Sequence, residues 1–317
     1  MRRAKAAAAV TTVLWLVVGG GAARRSFAAD LAEQRLEVNG VTLKVTAGGS
    51  GEPLVVVHGG PGLGADYLIP HFAPLADTRR LVFYDQRGSG GSTGDGDPSA
   101  ITMDNLVADL EGLRLALRFE RMAVIGQSFG ALVAIRYAAQ HPDRVTSLLL
   151  LEPAPGSSEY LGEVQKRILE RLSDDDKKEL QALVASEPFT SRNPEAFARF
   201  MTIRFGAYYK DRAKMTQHHL GVSTIEAVRK FFVSQAALGP YMMSFDIHPL
   251  LAKVSCPTLI LHGDYDPVPT EACERLHRGI AGSRLVVFPD CGHFAHIEAR
   301  EAYFKAVREF LASTSAT

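Results

Sequence analysis

The chain has 317 residues, of which 46% are hydrophobic and 22% charged. This is enough to bury a large core, either as one domain or as one core with a smaller inserted unit. Lys plus Arg and Asp plus Glu each total 35, so the formal net charge is zero. This balance argues against a nucleic-acid partner, which would require a concentrated basic face.

Residues 1–28 have the pattern of a signal peptide or an N-terminal anchor. Residues 1–5 are positively charged, residues 6–18 are apolar, and residues 26–28 resemble a small-x-small cleavage site. If this leader is cleaved, we expect export to the periplasm or the exterior. If it is retained, we expect a membrane-anchored protein, and no stable membrane association is expected otherwise. If the start codon is misassigned, the protein is cytoplasmic.

The first elements after the leader are predicted to be β-strands. Residues 36–45 indicate a hairpin around Asn39-Gly40, because this dipeptide favours the tight turn between two strands. Residues 54–57 and 81–84 are apolar runs of strand length. A helix is predicted from about Met103, with Thr102 as its N-cap.

Glycine-rich turns follow both apolar runs. The first, residues 58–62, reads His-Gly-Gly-Pro-Gly. Pro61 has no N–H, so Gly60 is the candidate backbone donor to an oxyanion. A phosphate-binding loop would need a different pattern of Gly, Lys and Ser or Thr, and no cofactor is expected. We interpret Asp85 and Arg87 as a structural pair that shapes the second turn.

Residues 126–130 read Gly-Gln-Ser-Phe-Gly between an apolar run and a stretch with helical spacing. This strand-turn-helix context is typical of a nucleophile elbow, in which a sharp turn exposes the central serine. The flanking glycines, Gly126 and Gly130, are expected to avoid collisions with the neighbouring strand and helix. Ser128 is therefore the predicted nucleophile, and the N–H of Phe129 is the second candidate oxyanion donor.

A serine nucleophile requires a base and an orienting carboxylate. His293 follows the apolar run 285–288, and Asp266 follows the strand-like run 258–262. The resulting chain order Ser, Asp, His is that of nucleophile-elbow hydrolases. Asp264 and, more weakly, Glu152 compete with Asp266 for the carboxylate role.

Residues 153–249 change to a helix-upon-helix pattern, predicted to be a helical cap (lid) over the site. Helices are expected at 160–172, 174–185, 194–208 and 223–238, with breaks at Glu187-Pro188, Asn193-Pro194 and Gly239-Pro240. Of the aromatic residues in the cap, we expect one or two, such as Phe205 and Tyr208, to line a pocket with Phe129.

The remaining cysteines and histidines do not indicate a metal or a disulfide framework. Cys256, Cys273 and Cys291 are odd in number and have no Cys-x-x-Cys spacing. One pair could still bridge in an oxidising compartment. The pairs His293/His296 and His218/His219 have no suitably placed acid, so no metal site is expected. His296 is predicted to be partly packed in the first turn of a helix that runs on toward Phe310.

The alternation of apolar runs and helices predicts an α/β fold with a mostly parallel sheet covered by helices on both faces. The core would comprise residues 29–152 and 250–317, with residues 153–249 inserted as the cap. Ser128, Asp266 and His293 would then lie on loops at the carboxyl ends of strands, where open α/β sheets bind ligands.

Several motifs together resemble the proline iminopeptidase branch of the α/β-hydrolases. They are the turn at 58–62, Asp-Gln-Arg-Gly-Ser-Gly at 85–90, the serine elbow, Gly263-x-x-Asp266 and Gly292-His293. The resemblance implies the α/β-hydrolase fold, and it favours Asp266 as the acid, with Ser128, His293, Gly60 and Phe129 in the roles given above.

Members of this family hold the free amine of the substrate with glutamates of the cap. Glu163, Glu195 and Glu226 are candidates here by location only. The elbow departs from the family's usual Gly-Gly-Ser-Trp-Gly, and the one tryptophan of the chain, Trp15, lies in the leader.

The predicted function is hydrolysis of amide or ester bonds through an acyl-enzyme, without a cofactor. The favoured substrate is a small peptide, from which an aminopeptidase of the proline iminopeptidase type would remove the N-terminal residue. The alternative is a carboxylesterase, or another small-molecule hydrolase, acting on a small ester. The third hypothesis is a non-catalytic binding module with the same fold.

Overall fold

The computed structural model describes residues 31–218 and 221–314. The predicted leader, residues 1–28, lies outside these ranges, as does His219. Among the helices within them, none is both long enough and apolar enough to cross a membrane.

The described residues form one sheet of eight strands in the spatial order β1-β2-β4-β3-β5-β6-β7-β8. The first three strands of this order pair antiparallel, and all later neighbours pair parallel. The predicted mostly parallel sheet is therefore confirmed. The strand bounds are β1 Ala32–Val38, β2 Val41–Gly48, β3 Pro53–Val57, β4 Arg80–Tyr84, β5 Met122–Gln127, β6 Val145–Leu151, β7 Thr258–Gly263 and β8 Arg284–Phe288.

The hairpin between β1 and β2 turns at Asn39-Gly40, as predicted. Both residues have positive φ, 48° and 77°, which is the conformation that a two-residue turn of this type requires. The paired register runs without a break from Ala32 opposite Ala47 to Val38 opposite Val41.

Alternate residues of the central strands pack into two different cores. Val55 and Val57 of β3 belong to the core on one face, whereas Leu54 and Val56 belong to the core on the other face. This alternation follows from the two-residue period of a strand. Because both sets are buried, both faces of the sheet are covered, which confirms the predicted layers.

Twelve α-helices occur in the described residues, together with short 3-10 turns. Their bounds are α1 Ile69–Phe72, α2 Met103–Ala116, α3 Phe129–Gln140, α4 Leu161–Arg171, α5 Asp174–Ala185, α6 Glu187–Thr190, α7 Pro194–Gly206, α8 Ile225–Met242, α9 His248–Leu251, α10 Thr270–Gly279, α11 Ala295–Glu298 and α12 Arg300–Thr314. Helices α4 to α8 lie between β6 and β7, within residues 153–249.

One predicted helix boundary is wrong, and one short helix was not predicted. Helix α8 continues through Gly239-Pro240 and ends two residues later, at Met242, so Pro240, which lacks an N–H, shortens the helix without ending it at once. Glu187-Pro188 begins the short helix α6 instead of only breaking the chain. Pro188 lies in the first turn of that helix, where its missing N–H has no partner in any case.

The helix predicted to run from His296 toward Phe310 is also divided. Ala299, between α11 and α12, has φ −121° and ψ 39°, which is outside the helical range.

The N-cap of α2 is as predicted, since Thr102 Oγ1 accepts a hydrogen bond from the N–H of Asn105 at 3.2 Å.

Asp85 and Arg87 are both structural, but they do not pair with each other. Asp85 accepts hydrogen bonds from the backbone N–H groups of Ala65 and Gly91, each at 2.7 Å. Arg87 instead donates to both carboxylate oxygens of Asp109, at 2.8 and 2.7 Å. Residue spacing could not identify this partner, because Asp109 lies on α2, a separate element.

We expect Asp109→Ala to destabilise the fold by about 3 to 5 kcal/mol, because it leaves the buried guanidinium of Arg87 without its counter-charge. The matched control is Asp104→Ala, also on α2, whose carboxylate pairs with Arg136 while its side chain is 81% exposed. That change should cost less than about 1 kcal/mol. Denaturant unfolding measures both, and equal losses would contradict the structural role of the Arg87–Asp109 pair.

Candidate active site

Ser128 occupies the turn between β5 and α3 in a strained backbone conformation, with φ 53° and ψ −120°. A Cβ at Gly130 would overlap the carbonyl oxygens of Val57 and His58, and a Cβ at Gly126 would lie 2.7 Å from Ala131 Cα. The two glycines therefore let strand and helix approach closely enough for the sharp turn, as the sequence predicted.

The structure brings Ser128, His293 and Asp266 together. His293 Nε2 lies 2.9 Å from Ser128 Oγ, and His293 Nδ1 lies 2.7 Å from Asp266 Oδ2. Because an ionised carboxylate can only accept, Nδ1 carries the proton and Nε2 faces the hydroxyl as an acceptor. The other oxygen of Asp266 accepts a hydrogen bond from the N–H of Val268 at 2.8 Å, so the fully buried carboxylate is fixed.

The two competing carboxylates do not contact His293. Asp264 is exposed. Glu152 is fully buried after β6, with φ 39°, and accepts a long hydrogen bond from Tyr303 at 3.4 Å. Burial raises the pKa of Glu152 well above its usual value, and the charge of Asp266 raises it further. The protonated form of Glu152 therefore persists to higher pH than that of an exposed glutamate.

The backbone N–H groups of Gly60 and Phe129 have no hydrogen-bond partner in the described part of the chain. The adjacent N–H of Gly59 is occupied, since it donates to the hydroxyl of Tyr67 at 2.8 Å, which in turn donates to Gln127 at 2.7 Å. Gly60 has φ 56°, a conformation that favours glycine. The two N–H groups predicted as oxyanion donors are thus available.

A cavity of about 400 Å³ lies over Ser128. Its walls are mostly aromatic and apolar, and they include Phe129, Phe205 and Tyr208, as expected. No aspartate or glutamate is among the lining residues that the structure describes. The lining residues are Gly60, Pro61, Leu63, Tyr67, Gln127, Ser128, Phe129, Ala154, Phe200, Met201, Arg204, Phe205, Tyr208, His218, Phe231, Phe232, Gln235, Met242, His293 and Phe294.

The three cap glutamates predicted by location lie away from this cavity. Glu163 pairs with Arg167 at 2.9 Å, and Glu226 pairs with Arg229 at 2.7 Å. Glu195 is exposed at the start of α7 and lines a different cavity. Their helical spacing placed them on solvent-facing sides, where carboxylates gain most from neighbouring bases. The structure therefore does not bring them to Ser128.

Helix α8 is attached to the loop that carries Gly60. Gln235 donates from Nε2 to the carbonyl of Pro61 at 2.9 Å, and Ser234 donates to the carbonyl of Gly88 at 3.0 Å. Lys230, near the middle of the helix, donates to the carbonyl of Ser92 at 2.7 Å. Helix α8 is therefore attached to the loop of Gly60 through Gln235, and to the second glycine-rich turn through Ser234 and Lys230.

The loop of His293 is held by the chain that follows α7. The N–H of His293 donates to the carbonyl of Tyr208 at 2.8 Å. Glu298 bridges the same two regions, since it accepts from the N–H of Gly292 at 2.6 Å and from the N–H of Asp211 at 2.8 Å. Sequence reasoning missed this role of Glu298, because the partner loop lies far away in the chain.

The loop of Asp266 is held by α4. Arg171 lies over the ring of Tyr265, with 3.9 Å between its guanidinium carbon and the ring centroid. It donates to the carbonyl of Asp266 at 3.3 Å.

His262, which sequence reasoning also missed, is fully buried with Nδ1 3.7 Å from Asp266 Oδ2. Burial lowers its pKa, so the neutral ring adds no charge beside the carboxylate.

His296 is more deeply placed than predicted. It is fully buried, with its ring centroid 5.4 Å from that of Phe72 and 5.9 Å from that of Tyr303. Burial lowers its pKa well below the usual value.

Cys256, Cys273 and Cys291 are buried free thiols, so no two of them form a disulfide.

This fold and this arrangement at Ser128 define a class of proteins. The family model of the α/β-hydrolase fold matches residues 52–300, and the chain belongs to that family. Within it, the resemblance to proline iminopeptidases is confirmed. The proline iminopeptidase of Saccharolobus solfataricus is 30% identical over 277 residues, which cover 83% of this chain and 86% of the relative.

Solved structures show the same fold. A proline iminopeptidase of Mycobacterium smegmatis superposes with a TM-score of 0.66 at 22% identity, covering 89% of this chain and 98% of that one. An esterase from Exiguobacterium antarcticum superposes with a TM-score of 0.65 at 23% identity, covering 89% of this chain and all (100%) of that one.

The raised pKa of Glu152 predicts a pH-dependent effect of Glu152→Gln. The unfolded chain ionises this group near a pKa of about 4.3, whereas the folded state holds its proton to higher pH. The free energy of unfolding of the wild type should therefore fall relative to that of the variant as pH rises above this value. The difference between the two changes by at most about 1.4 kcal/mol per pH unit.

Denaturant unfolding of both proteins at about pH 4 and about pH 7 measures this difference. Glu301→Gln, at an exposed position of α12, is the control and should follow wild type at both values. A pH-independent difference between wild type and Glu152→Gln would show that the buried carboxyl does not hold its proton.

Proposed function

We propose that the protein is a serine hydrolase that cleaves ester or amide bonds through an acyl-enzyme. The observation that supports this most is the continuous chain of contacts from Ser128 Oγ through His293 to Asp266, with distances of 2.9 and 2.7 Å. Nucleophile, base and orienting acid within such reach are the components of this mechanism.

In the first half of the reaction, Ser128 attacks a carbonyl carbon while His293 Nε2 takes the hydroxyl proton. Asp266 keeps the imidazole oriented and stabilises the imidazolium that forms. His293 then gives the proton to the leaving oxygen or nitrogen, and the bond to the leaving group breaks. In the second half, water attacks the acyl-enzyme in the same way and releases the acid.

The N–H groups of Gly60 and Phe129 would stabilise the oxyanion of each tetrahedral intermediate. Neither has another partner among the described residues, so neither must break a hydrogen bond in order to donate. Donors that are already oriented need no reorganisation when the charge develops. In this mechanism residues 153–249 act as a cap that covers the site and forms much of the cavity wall.

The cavity favours a small acyl group without a free amine. Its lining is mostly aromatic and apolar, and no carboxylate among the described residues could pair with an ammonium group. A buried ammonium without a counter-charge is costly. We therefore place carboxylesterase activity first.

Proline iminopeptidase activity is the second candidate. The named relative from Saccharolobus solfataricus supports it, and the apolar walls suit a prolyl ring. The absence of a carboxylate from the described lining is the observation against it.

Fluorophosphonate, which reacts with activated serines, is expected to label the wild-type protein and not Ser128→Ala. Labelling that persists in Ser128→Ala would show that Ser128 is not the nucleophile.

Asp266→Asn should lower kcat by about 10⁴, because the imidazole then adopts the wrong tautomer. Asp264→Asn is the matched control, since this exposed acid lies two residues away. It should retain activity within a few-fold.

A substrate panel separates the two activities. We expect short-chain p-nitrophenyl esters to be cleaved with a higher kcat/KM than proline p-nitroanilide, because the described cavity lining has no group that pairs with an ammonium. Acylation of the prolyl nitrogen, which removes the positive charge, should not reduce cleavage. If free proline arylamide is the better substrate and N-acylation abolishes its cleavage, aminopeptidase activity is correct.

A further inference from the structure

Arg204 brings a permanent positive charge to the cavity over Ser128. It lies in the last turn of α7 and is half-buried. It lines the cavity together with its neighbour Phe205 and with Tyr208. Arg204 is thus a half-buried residue among aromatic neighbours, where electrostatic interactions are less screened than in bulk water.

Arg204 has no carboxylate partner within residues 31–218 and 221–314. Its hydrogen bond is to the side-chain oxygen of Gln165, at 3.4 Å, which is near the limit for such a bond. Two other arginines of the same region are paired: Arg199 binds both oxygens of Glu179, at 2.6 and 2.7 Å, and Arg212 binds Asp176 at 2.8 Å. The charge of Arg204 is thus left available to a ligand.

A guanidinium presents a planar fork of N–H donors that matches a carboxylate, and such charge-assisted pairs are stronger than neutral hydrogen bonds. The same charge repels an ammonium group. Because the described lining contains no acid that would compete for Arg204, an anionic substrate would meet an unopposed cation at the cavity wall.

We propose that Arg204 binds a carboxylate of the substrate and selects anionic over neutral substrates. This inference rests on the proposed serine hydrolase function, since the carbonyl to be cleaved must lie at Ser128. The carboxylate has two possible sources: the free end of a dicarboxylic acid half-ester, or the C-terminus of a short peptide.

The first experiment compares matched substrates. Mono-p-nitrophenyl esters of glutaric and adipic acid are compared with p-nitrophenyl esters of neutral acids of equal length, and prolyl dipeptides are compared with their C-terminal amides. Wild type should prefer the anionic member of at least one pair. Arg204→Gln should lower kcat/KM for that member by about tenfold relative to its neutral counterpart, so that the preference is lost.

Arg199→Gln is the matched control, because it removes the same charge from the same helix at an arginine that does not line the cavity. It should keep the wild-type preference. Added salt should reduce the preference of wild type, since a half-buried ion pair is partly screened. Loss of preference in both variants alike would show that only the net charge matters, and this would overturn a specific role for Arg204.

The second experiment separates failure of this inference from failure of the proposed function. Calorimetry measures binding of the glutarate half-ester and its neutral counterpart to Ser128→Ala and to Ser128→Ala/Arg204→Gln, without turnover. Tighter binding of the anion that is lost with Arg204 supports the inference even if fluorophosphonate does not label the wild type. Equal binding of anion and neutral ester, with normal labelling, overturns the inference and leaves the serine hydrolase function standing.

Discussion

The structure depends on one strained residue. Ser128 can hold its left-handed backbone conformation only because β5 and α3 meet with no side chain between them at Gly126 and Gly130. The strain is balanced by the packing of a buried strand and a buried helix, which together form much of one core. This conformation directs the hydroxyl of Ser128 to His293. The N–H of Phe129, the next residue, lies beside that hydroxyl at the start of α3.

The helices between β6 and β7 are attached separately to each loop of the site. Gln235 holds the turn of Gly60, the carbonyl of Tyr208 holds the loop of His293, and Arg171 holds the loop of Asp266. Each attachment uses a backbone carbonyl as the acceptor. The loops around Ser128 are therefore held both by the strands they follow and by these inserted helices. Contacts on two sides restrict loop movement, so the site can be precise although its residues lie on loops.

The sheet, its two covered faces and the convergence of Ser128, Asp266 and His293 were predictable, because local patterns place each of these residues directly after an apolar strand. The partner of Arg87 and the position of Arg204 were not. Each depends on contacts between distant segments, which residue spacing does not encode. The three cap glutamates show the same limit: helical spacing identified exposed positions but could not say which side faces Ser128.

His293 and Tyr208 contact each other twice: their rings meet edge to face with 5.2 Å between centroids, and a hydrogen bond joins their main chains. The carbonyl of Tyr208 receives the N–H of His293, and Gly292 leaves room for that carbonyl, while the side chain of Tyr208 lines the cavity. Any residue at position 208 would supply the same carbonyl. Substitution of that side chain would therefore reshape the cavity wall and remove its ring contact with His293, while the main-chain hydrogen bond that holds the loop of His293 would be kept.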